Sequence, residues 1–342
     1  MPKLKKQRVG IIGCGVIFDR HIEAITANAD DFELVALCDI DKRKLDIRAK
    51  EHEVFGFTDY KEMYKIMKGK MEMVSIATPN SCHYDQAIDA LKSGYDILVE
   101  KPIDFRNKRV EEICAWAKKL KKKAYAVLQV RYNPTVGMVK EALGNNLLGD
   151  IRSVTLTQRW QRPESYFDSW RADINVGGRT LYEVGIHYMD IIQLLFGLPE
   201  VKSSATFNNK HKYVEFEDTV FSILQFPSGA SGSLEVTIAS EPSNLECTLS
   251  VMGSEGYIEV GGRALDKIER AMFLNQIFED KWNKLVGKFG KSLEPNSYGT
   301  HAGSCPNHPT LYAEIAKGKG IDISEAINSI KFIERVYDKE IK

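Results

Sequence analysis

Two short stretches of this chain place reactive side chains where a fold would use them. Glu100-Lys101-Pro102 closes the apolar run Ile97-Leu98-Val99. A lysine at the carboxyl end of a buried parallel strand faces the crevice in which open α/β sheets bind ligands. An ammonium there can stabilise a developing oxyanion, and a desolvated lysine can act as a base. Farther on, Glu183, His187 and Asp190 recur at i, i+4, i+7, which places them on one face of a helix. A histidine in an apolar helix is ordinarily a core residue. Paired with Lys101, His187 becomes a candidate base for the proton of a hydroxyl group.

A glycine-rich turn precedes both. Gly13-Cys14-Gly15 follows a short β-branched run and opens a helix. The first glycine permits the tight turn, and the second lets backbone approach a pyrophosphate at the helix N-terminus. Phe18 stands where a third glycine or alanine would allow close helix packing, so the pattern departs from the full fingerprint. Asp39, at the end of the next apolar run, supplies the carboxylate that accepts both ribose hydroxyls and repels a 2′-phosphate. NAD is therefore expected over NADP, with Lys42 and Arg43 as the competing phosphate clamp. The nucleotide contacts expected are Gly13, Gly15, Val16, Ile17 and Asp39, followed by Thr78, Asn80, His83, Glu100, Lys101 and Gln129 around the nicotinamide half.

Elements with a definite rhythm must position these groups. Strand patterns over residues 8–12, 33–38, 54–57, 73–77, 96–99 and 124–128 alternate with helical ones over 21–29, 42–50, 60–67, 84–93 and 110–121. Such alternation predicts crossover units and a doubly wound parallel sheet, a Rossmann domain over residues 1–128. Beyond it, a helix over 134–143 and an apolar helix over 181–196 accompany runs at 151–160, 203–207, 219–227, 230–239, 245–252 and 256–260. Turn signals such as Pro227-Ser228-Gly229 between them predict an α/β domain over residues 129–342 with a large open, mostly antiparallel sheet. Its uncovered face predicts a homodimer or homotetramer. Residues 264–300 read as helical up to residue 289 and find no place in the sheet.

Composition narrows the partners. The 342 residues carry 47 basic and 47 acidic side chains, so no net field recruits nucleic acid. Six scattered cysteines read as reduced thiols, and no apolar run reaches the roughly 20 residues that span a bilayer. With only a short charged lead, these features predict a cytoplasmic protein without membrane contact. His301, Cys305 and His308 offer three zinc ligands without a fourth, and no metal is expected.

Taken in order, Gly13-x-Gly15, Ala77-Thr78-Pro79-Asn80, Glu100-Lys101-Pro102, Gln129-Val130-Arg131-Tyr132-Asn133-Pro134 and Gly185-Ile186-His187-Tyr188-Met189-Asp190 resemble the glucose-fructose oxidoreductase/inositol dehydrogenase (Gfo/Idh/MocA) family. The resemblance implies hydride transfer between a nicotinamide and a sugar or cyclitol carbinol, with Lys101, His187 and Glu183 as catalytic residues. Many members carry Asp where this chain has Glu183. Shorter patches, including Ser169-Trp170 and Asn307-His308-Pro309, resemble the UDP-N-acetylglucosaminuronate 3-dehydrogenases of surface-polysaccharide synthesis. Arg131 and Tyr132 are expected to orient substrate; Arg159, Trp170, Arg171 and Arg179, with His187, are expected to line its site and to suit an anionic sugar. The alternatives are a dehydrogenase or reductase of a free sugar or inositol, and a non-catalytic NAD-binding regulatory protein.

Overall fold

In a computed structural model that describes residues 6–290 and 305–341, the chain forms two compact units. The first takes the chain up to Leu128 together with His308–Ile327. Its sheet runs in the order β3-β2-β1-β4-β5-β6, all parallel, from β1 (Gln7–Ile12), β2 (Phe32–Cys38), β3 (Phe55–Phe57), β4 (Met73–Ile76), β5 (Asp96–Val99) and β6 (Ala124–Ala126). Strands sandwiched by helices on both faces need apolar side chains on both. Accordingly all four residues of β4 and the last three of β5 are buried. The crossover helices are α1 (Phe18–Ala27), α2 (Lys42–Glu51), α3 (Tyr60–Ile66), α4 (His83–Ser93) and α5 (Asn107–Leu120). The strand order reverses direction between β1 and β4, which makes the loops after these two strands the walls of the binding crevice.

One segment of the C-terminal part folds with this unit. Helix α9 (His308–Ala316) buries His308, Leu311, Tyr312 and Ile315, and Asn28 Nδ2 at the end of α1 donates to Pro309 O at 3.0 Å. Residues 308–327 therefore belong with the first unit rather than with the rest of the second half.

The second unit contains Gln129–Asn307 and the chain from Asn328 onward. After α6 (Pro134–Gly144) come β7 (Ile151–Arg159), α7 (Ile186–Phe196), β8 (Glu200–Phe207), β9 (Thr219–Gln225), β10 (Ser231–Thr237), β11 (Glu246–Gly253), β12 (Gly256–Gly261) and β13 (Lys267–Phe273). The sheet order is β13-β12-β11-β7-β10-β9-β8, and the β7–β10 pair is parallel while its other pairs are antiparallel. Strand β13 corrects the reading of residues 264–300: its KIERAMF sequence lacks an apolar alternation because it is a largely exposed edge strand, of the kind that charge protects. Helix α8 (Gln276–Phe289) follows, and α10 (Ile327–Asp338) ends the fold.

Alternation on β7 sorts the two faces. Val154, Leu156 and Gln158 are buried, and α7 covers that side, with Trp160 edge-on to Tyr188 at 5.8 Å. The opposite face is open and exposes Phe207, Phe221, Ile223 and Met252.

Candidate functional site

In the first unit the glycine turn abuts the exit of β4. Gly13 has φ +98°, and a Cβ on it would lie 2.3 Å from Ala77 O, so only glycine fits. A Cβ on Gly15 would meet nothing within 4 Å, which leaves the space above the turn open to a ligand. Helix α1 then begins with Ile17 at its N-cap and no side-chain cap, whereas α2 and α3 are capped by Asp41 and Asp59. Open space beside an uncapped helix start is what a pyrophosphate requires. Phe18, the departure from the fingerprint, is fully buried and turns its ring toward His52 and beneath the Arg48 guanidinium, 5.2 Å away.

Asp39 shapes the same turn. Its Oδ2 accepts from Cys14 N–H and its Oδ1 from Asp41 N–H, both at 2.8 Å, while the carboxylate stays partly exposed. Lys42, the alternative phosphate clamp, is spent on Asp46 at 2.9 Å along the exposed face of α2.

Four of the expected nucleotide contacts, Asn80, His83, Glu100 and Gln129, are buried. His83 is fully buried, and its Nδ1 and Nε2 face Pro102 O at 2.8 Å and Thr78 O at 2.9 Å. The 3-10 turn Asn80–Cys82 starts the helix early and rotates His83 inward, making it a latch between two crevice loops. Burial draws its pKa below the ordinary imidazole value, against the opposing pull of the two carbonyls. The Glu100 carboxylate also points into the core and is 5% exposed. Of the others, Thr78 Oγ1 donates to Gln86 at 2.7 Å, Asn80 is buried at the turn, Val16 is half exposed and Lys101 is partly exposed. Gln129, in the second unit, is buried, and its carbonyl accepts from Asn307 Nδ2 at 3.3 Å.

In the second unit, Leu181–Gly185 forms a π-helical turn leading directly into α7. The wider winding changes the simple i, i+4, i+7 face read from the sequence, and such turns recur at functional sites. His187 is partly exposed in the first turn of α7. Glu183 Oε1 accepts from the Tyr166 hydroxyl at 2.7 Å and from Arg171 Nε at 3.1 Å. The Arg171 guanidinium lies over the rings of Tyr166 and Trp170, at 4.8 and 4.4 Å. Tyr166 was missed in the sequence because nothing in Ser165-Tyr166-Phe167 announces a carboxylate partner 17 residues away.

The other arginines expected to meet substrate also have carboxylate partners. Arg159 continues the exposed phase of β7 with Thr155 and Thr157, so it lies on the open face, away from α7. There it pairs with Glu235 at 2.6 Å and Glu246 at 2.7 Å and lines a depression of 450 Å³. Arg179 binds Glu217 at 2.7 Å and Glu340 at 3.2 Å, with its guanidinium 3.7 Å from the Tyr337 ring centre. Arg131 forms a two-bond pair with Asp190, both bonds 2.7 Å, adjoining Tyr132 in the turn Gln129–Tyr132. Arg159, Arg171 and Arg179, expected to suit an anionic sugar, and Arg131, expected to orient substrate, each have a carboxylate partner within their own unit. Sequence proximity conveyed their charge but not its neutralisation.

Among the described residues no group of three or more His, Cys, Asp or Glu side chains could hold a metal, and no helix is long and apolar enough to cross a membrane. His301 lies outside the described residues.

Comparison with known proteins bears on both units. The NAD-binding Rossmann-fold profile of the GFO/IDH/MocA oxidoreductases matches residues 7–128, and the GFO/IDH/MocA C-terminal domain matches residues 136–259. The chain is similar to the WlbA dehydrogenase of Bordetella pertussis in complex with NADH and UDP-GlcNAcA, at 26% identity and TM-score 0.87, covering 98% of this chain and 95% of that one. It is similar to the WlbA dehydrogenase of Chromobacterium violaceum with the same two ligands, at 27% identity and TM-score 0.86, covering 99% and 95%. D-Glucoside 3-dehydrogenase of Escherichia coli is 27% identical over 254 residues, 68% of this chain and 70% of the relative. The strand order, the glycine turn at the switch point and these matches to both units together assign the chain to the GFO/IDH/MocA oxidoreductase family.

Proposed function

We propose that this protein oxidises a secondary alcohol of a sugar, C3 of a UDP-linked N-acetylated aminosugar or its uronate, with NAD as hydride acceptor, in surface-polysaccharide synthesis. The observation that carries this reading is similarity along nearly the whole chain to two structures holding NADH and UDP-GlcNAcA. The open turn at Gly15 and the uncapped start of α1 fit the pyrophosphate, and Asp39 fits the ribose hydroxyls and excludes a 2′-phosphate. Bound NAD supplies the hydride acceptor. His187 takes the proton of the reacting hydroxyl, and Lys101 hydrogen-bonds the same oxygen as negative charge develops, with the two roles exchangeable. Glu183 acts through Tyr166 and Arg171, whose positions it fixes. The open sheet face, with Phe221 and Ile223 exposed, supports a homodimer or homotetramer, which a monomer in light scattering would contradict.

A second reading, a free sugar as substrate, is favoured by the neutralised arginines and by the D-glucoside 3-dehydrogenase relative. Thermal protection separates the two. Under the first reading UDP alone at millimolar concentration raises the melting temperature by mass action, additively with NADH. No shift with UDP, together with protection by a free sugar in the presence of NADH, would favour the second.

A further inference from the structure

Behind Lys101 the first unit buries a polar cluster that the proposed chemistry leaves unused. Glu100 Oε1 lies 3.3 Å from His21 Nε2 and 3.5 Å from His308 Nε2, while Oε2 accepts from Lys101 N–H at 3.1 Å. His21 is fully buried and His308 is 2% exposed. His21 Nδ1 faces the Tyr312 hydroxyl at 2.9 Å and Ser75 Oγ at 3.2 Å, an arrangement that suits the tautomer with the proton on Nε2, the nitrogen on the Glu100 side. Burial works to raise the Glu100 pKa, but the two imidazoles hold it well below the usual carboxylate range.

This carboxylate is assembled at some cost. Helix α1, the end of β5 and the start of α9 each contribute one member, from positions 21, 100 and 308. A core that needed only volume would do as well with apolar side chains, since replacing buried ionic groups by hydrophobic ones is often neutral or stabilising. The cluster's connection to the crevice is the Lys101 peptide. Resting on the reading of Lys101 as a group that acts on substrate, we infer that Glu100, fixed by His21 and His308, is a positioning residue that sets the Lys101 backbone and so aims its side chain, with His308 completing the device.

Two substitutions separate positioning from packing. His308→Gln keeps an N–H donor, whereas His308→Phe keeps a ring and loses the donor. With melting temperature and NADH affinity matched to wild type, the phenylalanine variant is expected to lose about tenfold to a hundredfold in kcat with little change in KM. The glutamine variant should recover most of that loss. Packing alone predicts the reverse order, and either the reverse order or three equal kcat values overturns the inference. Acylation of Lys101 by acetic anhydride, followed by peptide mass mapping, reads the same device without turnover: its rate should change in the phenylalanine variant and return in the glutamine variant. If wild type oxidises no sugar yet Lys101 labelling responds this way, the proposed function fails and the positioning stands; unchanged labelling overturns the positioning. Should His308→Phe not fold, Glu100→Gln is labelled in its place, and no shift in Lys101 reactivity again overturns the inference.

Discussion

Replacing His187 by asparagine or Lys101 by alanine is expected to lower turnover of the sugar alcohol by about 10²-fold or more, with NADH affinity close to wild type. The split follows from where the two side chains are used. In the proposed mechanism each acts on the reacting oxygen, whose charge changes only in the transition state, whereas the glycine turn and Asp39 are proposed to hold the nucleotide. Asparagine keeps the polarity and much of the size of histidine at a partly exposed position, so the loss would report on proton transfer rather than on folding. Steady-state kinetics on the substrate, paired with calorimetric titration of NADH, checks both halves. A fully active double variant would remove both residues from the chemistry.

The largest stability effect is expected at Asp190. Its carboxylate is 1% exposed and receives two 2.7 Å bonds from Arg131, whose side chain is 8% exposed, with further bonds from Gln193 Nε2 at 3.1 Å and Ser329 Oγ at 2.8 Å. Asp190→Ala leaves a buried guanidinium without its counter-charge, which costs about 3–5 kcal/mol. For a unit of this size that lowers the melting temperature by roughly 6–20 °C. The paired replacement Arg131→Met with Asp190→Leu should recover much of the loss, because apolar side chains remove the unpaired charge as well as the pair. If the double variant melts no higher than Asp190→Ala, the buried charge is not the cause of the loss.

The parallel sheet was legible because buried strands such as Val74 to Ile76 and Ile97 to Val99 have no polar phase to obscure them. Edge strand β13 was not, since its exposed charges cancel the alternation that marks a strand. Lys101 stood out through its place at the end of an apolar run, and Gly13 through the turn it must make. The partners of the arginines were not legible, because a sequence displays charge without its partner: Asp190 is 59 residues from Arg131, and Glu235 is 76 from Arg159. The strand phase of one arginine was legible. Arg159 is out of phase with Val154 and Leu156, which already assigns it to the opposite face of β7. The inward turn of His83 depended on where α4 begins, and helix starts are commonly uncertain by a residue or two from pattern alone.

Hydride transfer itself can be observed directly. UDP-GlcNAcA carrying deuterium at C3, incubated with the protein and NAD, is expected to yield deuterated NADH and a C3 ketone, both read by mass spectrometry, and the His187→Asn variant should give about 10²-fold less. NAD that binds but is never reduced to deuterated NADH, by this substrate or by a panel of deuterated free sugars, would contradict the assignment of a sugar dehydrogenase.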